Sequence, residues 1–100
     1  MPDKPAARPP APQLTIKISE EMQRGVYANR VVIGHTRDEF VFDFIAELPP
    51  GPCVVARVIT APSHAAALLD ALAENVARYE KDHGAIRRGA PPMPPPQFSA

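Results

Sequence analysis

Cysteine, net charge and long apolar runs are all scarce in this chain, and each shortage removes a class of function. Cys53 is the only cysteine, so no internal disulfide and no cysteine-rich metal site is expected, and a reducing cytoplasm is the expected setting. Eleven basic and eleven acidic residues cancel to a formal charge of zero; the electrostatic footprint of a dedicated nucleic-acid binder is missing, and nucleic acid is disfavoured as a partner. No apolar run approaches the roughly 18 residues that a membrane span needs, and the residues after Met1 form no apolar leader, so neither secretion nor membrane insertion is expected. No catalytic, metal or nucleotide motif rises above background; the expectation is a protein that is not an enzyme and carries no cofactor.

Proline is abundant, at 14 residues, and it sits mainly at the ends. Pro2, Pro5, Pro9, Pro10 and Pro12 crowd the start and Pro91, Pro92, Pro94, Pro95 and Pro96 the end. Such stretches lack amide donors and apolar mass, which predicts disordered tails over residues 1–12 and 87–100 around a single domain at 13–86. A domain that small buries a modest share of its surface and ordinarily needs a staple, a metal or a partner subunit.

Within the domain the alternation of apolar and polar residues predicts strands. Leu14, Ile16 and Ile18 suggest a short first one, and Val26–His35, rich in β-branched residues, a second. Phe40, Phe42 and Phe44 alternate through a third that ends at Pro49-Pro50-Gly51-Pro52, and Cys53–Thr60 reads as a fourth. Residues 19–25 read as either one helical turn capped by Ser19 or a loop ending at Gly25. A reversal near residue 50 sets Phe42 opposite Val58, Asp43 opposite Arg57 and Phe44 opposite Ala56; one near Arg37 and Asp38 sets Ile33 beside Phe42 and Val31 beside Phe44.

After Pro62 the period becomes helical, with Ala65, Leu68, Leu69, Leu72, Val76 and Tyr79 on one stripe and Gly84 as the stop. The fold class expected is α+β: an antiparallel meander of three to four strands followed by one amphipathic helix. That helix is expected to cover the phenylalanine face of the sheet. The reverse face, carrying Val32, Val41, Ile45, Val55 and Ile59 around Arg30, Asp43 and Arg57, would stay open unless residues 13–25 fold back over it. At about 25 cal/mol per Å², hiding such a patch contributes several kcal/mol, so these eight residues are the candidate interface of a homo-oligomer, most simply a dimer.

Four ordered blocks carry a family resemblance: Gly25-Val-Tyr-Ala-Asn-Arg-Val-Val-Ile-Gly-His-Thr, Glu39-Phe-Val-Phe-Asp-Phe, Ala56-Arg-Val-Ile-Thr-Ala-Pro-Ser-His-Ala and Leu72-Ala-Glu-Asn-Val-Ala-Arg-Tyr-Glu. Over about residues 14–86 the chain resembles the short bacterial proteins grouped as domain of unknown function 3467. The resemblance implies no activity. It implies a serine before the helix-opening proline, where this chain has Ala61, so the helix loses its best cap, a matter of roughly 1 kcal/mol that Thr60 or Ser63 would partly restore.

The remaining polar residues are weighed individually. His64 lies where free helix amides hold anions, although a structural bond to a strand end fits it better. His35, Asp38 and Glu39 share a turn, with too few ligands at fixed spacing to name a metal. Cys53 lacks a legible base and oxyanion site and reads as a small strand residue. Asp43 with Arg57 reads as a register-fixing ion pair or a polar anchor at an interface. Asn29 and Asn75 are expected to bond backbone or an interface, and Tyr27 and Tyr79 to edge the core. The spacing of Arg88, Pro91 and Pro94, followed by Phe98, suits a polyproline II docking tail, against the alternative of an inert solubilising one. The functional expectation is a homo-oligomeric interaction or assembly domain whose partner is itself, with another protein reached through the sheet or the tail. A chaperone-like peptide binder is the alternative; a nucleic-acid-binding or small regulatory protein stands further off.

Overall fold

The computed structural model describes residues 13–89 and 96–100. Its elements run α1 (Glu20–Arg24), β1 (Arg30–His35), β2 (Phe40–Leu48), β3 (Gly51–Thr60) and α2 (Pro62–His83). The strands form one antiparallel sheet with β2 in the middle, so the fold is an α+β meander closed by a helix.

The register is the one that the two reversals predict. Ile33 stands opposite Phe42 and Val31 opposite Phe44, while Phe42, Asp43 and Phe44 stand opposite Val58, Arg57 and Ala56. One departure follows: the register shifts between Phe44 and Ile45, so Ile45 faces Val54 and Val55 becomes the extra residue of a β-bulge. A bulge bends its strand and re-aims the side chains next to it.

The first turn, α1, follows the cap rule: Ser19 Oγ accepts a hydrogen bond from the Met22 amide at 3.1 Å, and Gly25 closes the turn at φ 67°. No strand forms at residues 14–18, where Leu14 is 84% exposed. Alternation supplies a side chain for each face, but a strand also needs a neighbour for its backbone groups. The second expected strand starts at Arg30 instead of Val26, and Asn29 accounts for the difference. Its side-chain Oδ1 accepts from the Glu47 amide at 2.7 Å and its Nδ2 donates to the Glu47 carbonyl at 3.3 Å. The asparagine thereby uses the groups that a longer β1 would have paired. Asn29→Ala strands them at the sheet edge, and an equilibrium melt should lose about 1 kcal/mol.

Helix α2 begins on Pro62 at a position where the absent amide costs nothing. It ends at Gly84, whose φ of 90° favours glycine and whose amide donates to the Glu80 carbonyl. Ala61 is the N-cap, with no side-chain bond to the helix. Thr60 does not replace it, since its hydroxyl lies 3.3 Å from His64 Nδ1. Ala61→Ser should therefore stabilise by about 1 kcal/mol, raising the melting midpoint by about 4–8 °C in a domain of this size when measured at matched protein concentration.

The packing of α2 departs from expectation. Ala65 is its only buried residue, and Leu68, Leu69, Leu72 and Tyr79 remain exposed, Leu69 at 67% and Leu72 at 57%. The helix therefore leaves its own stripe uncovered and does not shield the phenylalanine face as a lid would. Tyr27 and Tyr79, expected at the edge of the core, are likewise mostly exposed.

Candidate functional site

Two surfaces result, one on each side of the sheet. On the first, Ile33, Phe40 and Phe42 face Ala65, Leu68, Leu69 and Leu72 across an open apolar groove of about 390 Å³. Phe42 and Ala65 are buried at its base, whereas Val31, Ile33 and Val58 are exposed around it. The leucine stripe and the phenylalanine face thus confront each other without closing.

The reverse face brings together seven of the eight residues of the candidate interface, with Val54 in the place expected of Val55. Pairing sets Arg30 opposite Ile45, Val32 opposite Asp43, Val41 opposite Ile59 and Asp43 opposite Arg57, with Val55 at the bulge. Two acids of the central strand meet two arginines of its neighbours. Glu47 pairs with Arg30, and Asp43 takes a two-pronged contact from Arg57, Nε to Oδ1 at 2.6 Å and Nη2 to Oδ2 at 2.9 Å. Asp43 is only 4% exposed. The Arg57 hydrogen bonds hold its carboxyl below the ordinary value; burial opposes them and the arginine charge adds to them.

Part of this face is roofed, and the roof comes from the stretch that the sequence assigns to a tail. Pro96, Gln97 and Phe98 line a small cavity with Ile45, Pro52, Cys53 and Val54, and the Arg57 guanidinium lies 5.7 Å from the centroid of the Phe98 ring. Ile45 is 6% exposed there, whereas Ile59, further along the same face, is 55% exposed. Arg88 is exposed; Pro91 and Pro94 lie outside the described residues, so the proposed docking spacing is not visible as a unit. Residues 13–25 do not roof the face, because Leu14, Ile16, Ile18 and Met22 are themselves exposed.

The individually weighed residues fall on structural roles. His64 meets the hydroxyl of Thr60, the last residue of β3, which is the strand-end bond expected of it. His35 stacks on Phe40 with centroids 5.3 Å apart. Among the described residues no group of three or more His, Cys, Asp or Glu is placed to hold a metal ion, and no helix is long and apolar enough to cross a membrane. Cys53 is exposed, with its thiol directed at the Val54 carbonyl. Asn75 donates to the Ala71 carbonyl one turn back along α2, so it stays within its own helix. Sequence reasoning missed the part played by Val54. An unbroken register gives that place to Val55, and only the bulge brings Val54 to Ile45.

Neither the curated proteins nor the solved structures give a match. A family model described as "Protein of unknown function (DUF3467)" matches residues 1–88, reaching further toward the start than the four blocks at 14–86. With that match spanning most of its length, the chain belongs to the DUF3467 family.

Proposed function

We propose that this chain is a non-enzymatic assembly domain that works as a homo-oligomer, most simply a dimer, in which a second copy closes the groove between α2 and the phenylalanine face. The observation that carries this reading is the uncovered leucine stripe. Among the described residues a lone chain buries Phe42, Ile45 and Ala65 as its apolar core, and no large side chain is completely hidden. A small domain needs more than that to offset the entropy of ordering its backbone.

The exposed residues in and beside the groove, namely Val31, Ile33, Val58, Leu68, Leu69 and Leu72, offer together roughly 600 Å², about three quarters of the ~800 Å² per partner of a standard stable interface. They form one surface instead of a scatter, which distinguishes a subunit contact from ordinary apolar exposure. This moves the proposed interface from the aliphatic reverse, where ion pairs and residues 96–98 already occupy the middle, to the phenylalanine side. The lone cysteine and the absence of a long apolar run support a cytoplasmic setting.

Native mass spectrometry and light scattering at micromolar concentration test the reading. The expected result is a stable multiple of the chain mass, with a melting midpoint that rises with concentration. A monomer that melts cooperatively at a concentration-independent temperature removes it, and a monomer that takes up an extended apolar peptide in the groove replaces it with the chaperone-like alternative.

A further inference from the structure

The reverse face carries a site that the assembly leaves free. We propose that the hollow between Ile45, Val54 and Arg57 is a binding site for a short proline-and-aromatic peptide segment, and that its resident occupant is the chain's own Pro96-Gln97-Phe98.

Three independent features of the sheet converge on this hollow. The bulge sets Val54 opposite Ile45, in the place that an unbroken register gives to Val55, and Val54 forms the aliphatic wall of the hollow. The Asp43 carboxylate grips the Arg57 guanidinium at two points, 2.6 and 2.9 Å, so the cation is held in place before any ligand arrives. An arginine fixed in this way offers an aromatic ring a flat, charged platform without further loss of side-chain freedom. Pro52, at the head of β3, supplies an apolar rim whose backbone lacks a donor that would need satisfying.

The occupant fits these features one by one. Phe98 takes the platform, 5.7 Å from ring centroid to guanidinium carbon, while Pro96 and Gln97 line the cavity with Ile45, Pro52 and Val54. Ile45, on the central strand beneath the segment, is buried, whereas Val54 at its side on the edge strand is 37% exposed. The remaining cavity, about 140 Å³, leaves the fit loose. A preset proline lowers the entropy lost on docking, and a half-exposed Phe98 makes the contact one that can open. The site is thus arranged for exchange: when the resident segment lifts, the same hollow accepts another Pro-x-Phe segment.

The test uses the intact chain and its Phe98→Ala variant, with Ile, Leu and Val methyl groups labelled for NMR, and a capped Pro-Gln-Phe-Ser-Ala peptide as the added probe. Phe98 is half exposed, so the variant keeps its fold. The Ile45 and Val54 methyl signals are expected to move in Phe98→Ala and to return toward their original positions as the peptide is added. The intact chain should bind the peptide about tenfold more weakly, because a tethered competitor acts at roughly millimolar effective concentration. A probe with alanine in place of phenylalanine should leave both spectra unchanged. Unmoved Ile45 and Val54 signals in the variant, equal affinity of both chains, or peptide-induced shifts at Ile33 and Leu72 instead would each overturn the proposal.

Discussion

Replacing Leu69 and Leu72 together by aspartate is expected to turn the assembled protein into single chains. In a monomer the two substitutions fall on side chains that are already 67% and 57% exposed, and their cost is the weaker helix propensity of aspartate, about 1 kcal/mol for both. At a closed interface the same changes remove two buried leucines, each worth about 1.5–3 kcal/mol, and add carboxylates that cannot be desolvated cheaply. Together these amount to at least about 5 kcal/mol, a weakening of more than a thousandfold at 1.4 kcal/mol per decade. Native mass spectrometry of the double variant should give the mass of one chain. Circular dichroism should retain the helix only in part, since the partner would no longer supply its packing. The matching pair on the other face, Val55→Asp with Ile59→Asp, is expected to leave the subunit number unchanged. If that second pair dissociates the protein and the first does not, the interface lies on the aliphatic reverse.

The contrast between the two faces also separates what the sequence makes legible from what it hides. Pairing within the meander is local: the turn at Pro49–Pro50 and the alternation of Phe40, Phe42 and Phe44 leave one register that keeps like with like, and that register forms. The ends of α2 are equally local, because Pro62 and Gly84 act through their own backbone geometry. How α2 lies against the sheet is a different kind of question. Its stripe of leucines says that an apolar surface is needed without saying whose surface it is, and a sheet of the same chain and a sheet of a second copy satisfy the pattern equally. Leu14, Ile16 and Ile18 pose the same problem for a strand, whose pattern is present and whose hydrogen-bonding neighbour is not.

The reverse face was legible in its membership and obscure in its covering. Seven of its residues are paired in the register that parity assigns to them, Val54 takes the place expected of Val55, and the Asp43–Arg57 pair stands where the reversal at residue 50 places it. The bulge at Val55 escaped because neither Val54 nor Val55 carries a glycine-like signal, so either residue could have been the extra one. The seating of Phe98 escaped because proline-rich composition speaks only to the average behaviour of a stretch. A single aromatic within it can still find a platform, and here Arg57 provides one.

That same arginine gives the protein an acid-sensitive element that a single substitution can remove. In the intact chain the Arg57 hydrogen bonds draw the Asp43 carboxyl below its ordinary value of 3.8. A carboxyl lowered on folding contributes stability that is fully present above the unfolded value and is lost as pH falls through the folded one. Arg57→Ala removes both hydrogen bonds and the neighbouring charge, and uncovers the carboxyl that the guanidinium lies against. The folded value then returns toward the unfolded one, and the pH-dependent stability goes with it. Thermal melts from pH 3 to 7 should therefore show the intact chain gaining stability with rising pH through the acid range, and Arg57→Ala gaining less. The gap between the two should be widest near neutrality and close toward acid. Adding Asp43→Asn to Arg57→Ala removes the titrating group and should leave the shallower slope of Arg57→Ala nearly unchanged. An Arg57→Ala variant whose melting midpoint follows the same course with pH as the intact chain would mean that Asp43 is solvated in solution, and that the ion pair rests on the surface of the sheet instead of within its reverse face.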